Sequence, residues 1–491
     1  MSSAEFPTRP PFYALDTRSL AAARIGLGSL LLLDLALRAF DLRAHYTDDG
    51  VLPRALIPPG TWDVGWSLHR LGGGSGFEAA LFAVHALFAV GMLLGWRTFW
   101  TTAGTALLTI SLHARNPLIR DGQDDFVRVL LVWATLLPWG ARWSLDARAG
   151  KVWHPLGIPS GSLLTTPAAA GFVAQLVLVY WSSAVAKLES TWWRSGDALS
   201  LALSISRYET PLGQWLLRFP EALHAMSYAA VGFELLAPLL LLAGPRPRWR
   251  LALVGAFWGF HVSVGAMLRL GLFAPIAMAA WSALLPGTLW PAGTELNVAG
   301  ASETARARRV GWALVAPLIT LAVLFNARYL WPRGIRLEPV GVTARALGLQ
   351  QYWSVFSPPY WTQGALVDGW FSIEGSRPGG HTLELLTGGE LAATRPAMGS
   401  DRFSNRRWRH WAAAMMEDWP RGSVQRRTVE DARQATLRWW CGDWNGRHGA
   451  ERVEVARLVW MRQRLRHPED VPERKVLAQV VCEPEPVATV R

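Results

Sequence analysis

From Leu20 to Leu330 the sequence enters one apolar run after another, each long or nearly long enough to cross a bilayer. A hydrocarbon core about 30 Å thick takes roughly 20 helical residues, and each span must satisfy its own backbone hydrogen bonds. A chain patterned this way folds as a polytopic helical bundle, not as a string of soluble domains. Composition agrees, with 51% of the 491 residues apolar, 18% charged, and the charge gathered in the last third. The runs at 20–40, 77–94, 98–112, 126–137, 168–188, 223–243, 251–268, 273–285 and 311–330 read as about nine spans. The second and third are short for a full crossing.

A formal net charge of +12 raises the question of nucleic acid. Many of the arginines, however, sit in short connections between apolar runs, where they report topology. With nine spans and the N-terminus inside, one side collects Arg9, Arg18, Arg97, Arg142, Arg148, Lys151, Arg246, Arg248, Arg250, Arg306, Arg308 and Arg309. The other side holds fewer basic residues, among them Arg115, Arg194 and Arg207, and most of the aspartates. The expected orientation is therefore N-terminus cytoplasmic and C-terminus outside, with the lipid bilayer as partner and no role for nucleic acid. The first residues lack a basic start followed by a short apolar core, so no cleaved signal peptide is expected.

From Gly334 the composition turns charged and Trp-rich. GALVDGWFSIEG, HTLELLTGGELAA, ERVEVARLVWMRQRLRH and ERKVLAQVVCEP read as strands, whereas SNRRWRHWAAAMMEDW and RRTVEDARQATLRWWCGDWNGR read as helices. The division is thus 1–333, an all-α membrane domain, and 334–491, an exported soluble α+β domain. Its two cysteines, Cys441 and Cys482, either pair on an oxidising side or stay reduced.

No phosphate loop, dinucleotide fingerprint, zinc-protease motif or nucleophile elbow occurs, and no metal site is expected. Gly72 to Gly76 form a glycine-rich loop without the lysine a phosphate loop needs. What remains is a set of ionisable groups in or beside the spans, where desolvation makes them costly. Lys187 lies near the end of the fifth apolar run, with Ser183 and Tyr180 four and seven residues earlier on the same helical face. It either snorkels to water or serves as a base in a low-dielectric site. Trp192 and Trp193 follow it, as interfacial anchors or as cavity wall. Arg115, Asn116, Asp121, Asp124 and Asp125 cluster between the third and fourth runs. They are either helix caps and solvated charges or part of the same outer cavity as Lys187. Glu234 and His261 lie near the middle of consecutive runs and can hydrogen-bond to each other. Asp34 and Arg38, four residues apart, read as a mutually neutralised pair.

The run YWSSAVAKLE at 180–189, followed by Trp192-Trp193 and Gly196, resembles the lysine segment of vitamin K-dependent γ-glutamyl carboxylases and of their bacterial relatives, the horizontally transferred transmembrane family. ARNPLIRDGQDD, PWGARWSLDA, FELLAPLLLLAGPRPRWR, FHVSVGAMLRLGLF and YWSVFSPPYWTQGALVDGW extend the resemblance over roughly 20–370. It implies that Lys187 deprotonates vitamin K hydroquinone or menaquinol. Oxygenation would then yield the base that removes a glutamyl γ-proton, and carbon dioxide would be captured on an exported glutamate-containing peptide or protein. Arg115, Asn116, Asp124, Asp125, Tyr180, Trp192 and Trp193 would line the cavity, supported by Glu234 and His261. Where the animal carboxylase carries a functional histidine, this chain reads Asp121-Gly122-Gln123-Asp124. The alternative is a non-carboxylating member of the same family that handles or matures an exported peptide. A transporter finds no paired interrupted helices or internal repeat to support it.

Overall fold

The structure, a computed structural model, describes residues 10–58, 66–158, 161–244, 246–291, 305–330, 338–357, 367–392, 394–396, 398–417, 423–464 and 470–482. Arg9, Pro59, Gly60, Pro245 and positions 358–366 of the expected connections lie outside them. Among the described residues a helix stands at each expected run: α1 (Thr17–Ala39), α2 (Ser75–Leu94), α3 (Thr98–Arg115), α4 (Gly122–Leu136), α5 (Pro167–Glu189), α6 (Pro220–Leu236), α7 (Pro247–Met267), α8 (Phe273–Ser282) and α9 (Ala305–Leu330).

Six of these are long and apolar enough to cross a membrane: α1, α2, α5, α6 with its continuation to Ala243, α7 and α9. The other three fall short for separate reasons. α4 and α8 are only 15 and 10 residues long. α3 has 18 residues but is rich in threonine. The Thr102 and Thr105 hydroxyls donate back to the carbonyls of Thr98 and Thr101 (both 2.7 Å), which lets a polar helix stay buried.

Local chemistry sets the helix ends. Asp16 caps α1 by accepting from Arg18 N–H (2.8 Å). Asp121 and Asp124 form a reciprocal capping box that starts α4. Pro238 ends regular α6, because it has no N–H for the ladder, and the chain continues as a tighter 3₁₀ turn over Ala237–Ala243.

Each end of the bundle is cross-linked. At one end Arg24 donates to the carbonyls of Met92 (3.0 Å), Leu93 (2.9 Å) and Trp143 (2.6 Å). Asp146 accepts from the Arg97 and Thr98 N–H groups (2.8 Å each). These bonds hold the connections around Arg97 and Asp146 together at that end. At the opposite end Arg38 bonds Asp34 (2.6 Å) and Asp124 (2.6 Å).

The C-terminal part is an antiparallel sheet with helices on it, and the strands fall where their alternation predicts. β1 (Val367–Ser376), β2 (Thr382–Glu384), β3 (Val455–Arg464) and β4 (Glu473–Val481) pair in the order β2-β1-β3-β4. Phe371 of β1 and Leu458 of β3 turn their side chains to the same core as Trp411 of α11 (Arg406–Met416) and Leu437 of α12 (Val424–Arg447). That core also takes in Leu35, Tyr46, Phe82 and Leu118 from the bundle, so apolar packing is continuous between the two halves. The tract 338–357, expected with the C-terminal part, packs on the helices instead. Its helix α10 (Glu338–Ala346) contributes Ala344 to a cluster with Phe325 of α9. Gln351 bonds Gln175 (2.7 Å), and Trp353 meets Phe126 edge-on at 5.7 Å.

Cys441 and Cys482 form a disulfide between α12 and the residue after β4, spanning 41 positions. Closing a loop of that size narrows the unfolded ensemble. Substituting both by serine is expected to lower unfolding free energy by about 2–4 kcal/mol, read as a shifted denaturant midpoint against the oxidised parent.

Candidate functional site

An apolar cavity of about 420 Å³ lies between α5, α6 and α7, walled by Val179, Phe233, Phe260, Phe273, Trp353 and Phe356. The expected one-face spacing of α5 holds, since Tyr180, Ser183 and Lys187 all line it. Lys187 is 4% exposed and its ammonium does not reach for water. Nζ donates to Ser183 Oγ (3.0 Å) and closely to the Glu234 carboxylate, and it lies 4.8 Å from the centre of the Trp193 ring. A carboxylate, a hydroxyl and a π-face together fix this amine.

Glu234 and His261 both line the cavity, but their expected mutual bond is replaced by two others. Glu234 turns to Lys187, the stronger partner because it carries charge. His261 Nε2 bonds the Tyr180 hydroxyl (2.7 Å), which also accepts from Trp281 Nε1 (2.7 Å). Phe257 stacks on Trp281 with ring centres 3.6 Å apart and holds the indole in place. Two buried polar atoms at this cavity, Glu234 Oε2 and His261 Nδ1, have no hydrogen-bond partner among the described residues.

A second cavity of about 510 Å³ adjoins the first, and its lining is the more polar of the two, with Asp121, Gln123, Trp192, Arg207, Tyr208, Ser354, His410 and Glu417. The two share Leu270, Phe273, Val355 and Phe356 as a common wall. His410 comes from α11 and meets Asp121 at 3.1 Å. Burial holds its imidazole below the usual value, against the pull of Asp121. Trp192 and Trp193 are 7% and 4% exposed, so they are cavity wall, not surface anchors, and each belongs to a different chamber.

The remaining expected residues line neither cavity. Arg115 donates to the Leu52 carbonyl (2.9 Å) and approaches Asp48 (3.5 Å) and Glu78 (3.9 Å). Asn116 donates to the His45 carbonyl (2.9 Å) and accepts from Leu118 N–H (3.1 Å). Asp125 pairs with Arg128 (2.5 Å) and Arg120 (3.4 Å). Asp124 takes Arg38 and Arg407. The expectation of one outer cavity shared by Lys187 and this cluster is corrected accordingly. Buried charges need opposite charges at contact distance, and Arg115, Asp124 and Asp125 find theirs in residues away from the cavity walls.

Asp34, His113 and Asp124 bring their ligand atoms within 4.8 Å of one another, the spacing of a cation site. The guanidinium of Arg38 already stands there, 3.1 Å from His113 Nε2, and Arg407 donates to both carboxylates. Their charge is met by arginine.

Sequence reasoning missed Trp281, Trp353, Phe356 and Arg407. A buried tyrosine implies partners for its hydroxyl, so a donor near Tyr180 was foreseeable, but nothing in the pattern singled out Trp281, 101 residues away. Comparison of the chain with protein-family models, curated proteins and solved structures returned no match.

Proposed function

We propose that this chain is a membrane enzyme of the vitamin K-dependent γ-glutamyl carboxylase type. It would use a reduced quinone, oxygen and carbon dioxide to carboxylate glutamyl side chains of an exported polypeptide, with Lys187 as the base. The observation that carries the reading is a lysine amine held by Ser183 and Glu234 at the wall of an apolar cavity of about 420 Å³, within the usual size range for a small-molecule site. The walls suit a flat apolar ring, and the unpartnered Glu234 Oε2 and His261 Nδ1 suit its polar edges. Ala229, Ala256 and Ser263 line the cavity and are exposed on apolar helices, so a lipid-soluble ligand has an approach from the bilayer.

A reduced quinone held there would supply the electrons needed to turn oxygen into a base strong enough for a γ-proton. The residues have simpler tasks. Lys187 would accept a proton from a ligand hydroxyl, with the Glu234 carboxylate beside it as counter-charge. Ser183 fixes the direction of Nζ, and the Trp193 face stabilises the ammonium that forms. Tyr180, held by His261 and Trp281, offers a rigid polar edge to the ring.

In this reading α1 to α9 are the nine spans, with the N-terminus cytoplasmic and the C-terminal part exported. The arginine distribution supports that orientation, and a Cys441–Cys482 disulfide suits an oxidising compartment.

Membranes given hydroquinone, labelled bicarbonate and a glutamyl peptide are expected to incorporate label and release epoxide. Lys187→Ala should lose both activities by about 10²–10⁴-fold while its elution volume persists. Unchanged epoxidation in Lys187→Ala would remove the base assignment. Epoxide without label would mean oxygenation uncoupled from carboxylation, and neither product would favour a non-carboxylating member of the family.

A further inference from the structure

Phe356 occupies an unusual place. It is a bulky residue with φ of +53°, in the left-handed region that L side chains other than Asn and Asp rarely adopt. It holds the third position of a turn closed by Ser357 N–H donating to the Ser354 carbonyl (2.9 Å), a position where positive φ normally selects glycine. Strain of this kind persists only where the surroundings impose it, and it concentrates at functional sites. Phe356 also belongs to the wall common to the two cavities. Two contacts pin it from opposite sides. Its ring meets Tyr208, in the lining of the polar chamber, edge-on at 5.1 Å. Its carbonyl accepts from Trp193 Nε1 (2.8 Å), the indole whose face lies 4.8 Å from Lys187 Nζ.

We infer that Phe356 is the partition residue between the two chambers. Its ring keeps water and charged solutes of the polar chamber from the apolar chamber of Lys187, and its carbonyl positions Trp193 over the amine. A low-dielectric site beside a wet one needs such a barrier, since water admitted to the apolar side would weaken every electrostatic contact there. A glycine would relax the turn and lose the ring; retention of phenylalanine at a glycine-favouring position is what the barrier role explains. The inference rests on the two cavities and the turn, not on the quinone chemistry, so the two readings fail separately.

The test uses thiol accessibility. The chain has two cysteines, both in the disulfide, so one introduced at Val179, in the apolar chamber, is its only free thiol. The probe is a sulfonate-bearing methanethiosulfonate, which its charge keeps out of the lipid. Ser354→Cys, in the polar chamber, reports that the reagent arrives. In full-length protein, Val179→Cys is expected to react slowly with Phe356 or Phe356→Leu in place. It should react at least about tenfold faster with Phe356→Gly or Phe356→Ala, where the water-excluding wall is gone. The Phe356→Gly protein should keep its unfolding midpoint, since its turn favours glycine. Equal labelling in all four backgrounds while Ser354→Cys reacts, or fast labelling with Phe356 present, would overturn the assignment.

Discussion

Replacing Arg407 by alanine is expected to destabilise the protein by about 3–5 kcal/mol, because it leaves buried carboxylates short of a counter-charge. Three carboxylates (Asp34, Asp121 and Asp124) meet three guanidiniums (Arg38, Arg406 and Arg407) at the junction of the bundle with α11. Arg407 serves two of the acids at once. It bonds Asp34 (3.1 Å) and Asp124 (2.8 Å) and also donates to the Ile119 carbonyl (3.0 Å). Its planar fork suits that geometry; a lysine would keep the charge and lose the second arm. Arg407→Lys should therefore lie between the parent and Arg407→Ala. The measurement is denaturant or thermal unfolding of the purified protein in detergent, and a change within about 0.5 kcal/mol for Arg407→Ala, the size of an ordinary surface substitution, would show that the network carries no weight.

The second large effect is expected at Glu234. Glu234→Leu removes the carboxylate that meets Lys187 Nζ and leaves the amine with the Ser183 hydroxyl and the Trp193 ring. Breaking a buried pair from one side typically costs about 3–5 kcal/mol, whereas replacing both partners by apolar groups of similar volume is close to neutral or stabilising. The double variant Lys187→Met/Glu234→Leu should therefore recover most of the stability lost by Glu234→Leu alone and remain without quinol-dependent turnover. That pattern separates a pair kept for chemistry from one kept for folding. If the double variant were as unstable as the single one, the pair would be a structural element of the bundle.

The helical half was legible because desolvation of backbone polar groups leaves its mark as apolar runs, and each expected run carries a helix. The strands of the C-terminal part were legible for the same reason on a period of two. On α5 the spacing of Tyr180, Ser183 and Lys187 placed them on one wall. The pairing of charges was not legible. Asp34 with Arg38 could be read at a spacing of four, yet both Arg406 and Arg407 approach Asp34 from more than 370 positions away, and no local pattern encodes that distance. Arg115, Asn116, Asp124 and Asp125 carried the chemistry of a site in composition alone. Their geometry serves capping and neutralisation, because a buried charge pairs with the nearest opposite charge that the fold presents. Phe356 was hidden for another reason: a positive φ at phenylalanine is set by tertiary packing and leaves no trace in residue type.

The arginine junction bears on how the protein is made. A ribosome delivers Asp34 and Asp124 long before Arg407, which lies 283 positions after Asp124 and 373 after Asp34. During that interval the helices hold two carboxylates with Arg38 as their shared guanidinium. The membrane half is thus electrostatically unfinished at birth, and the last third of the chain is the piece that completes it.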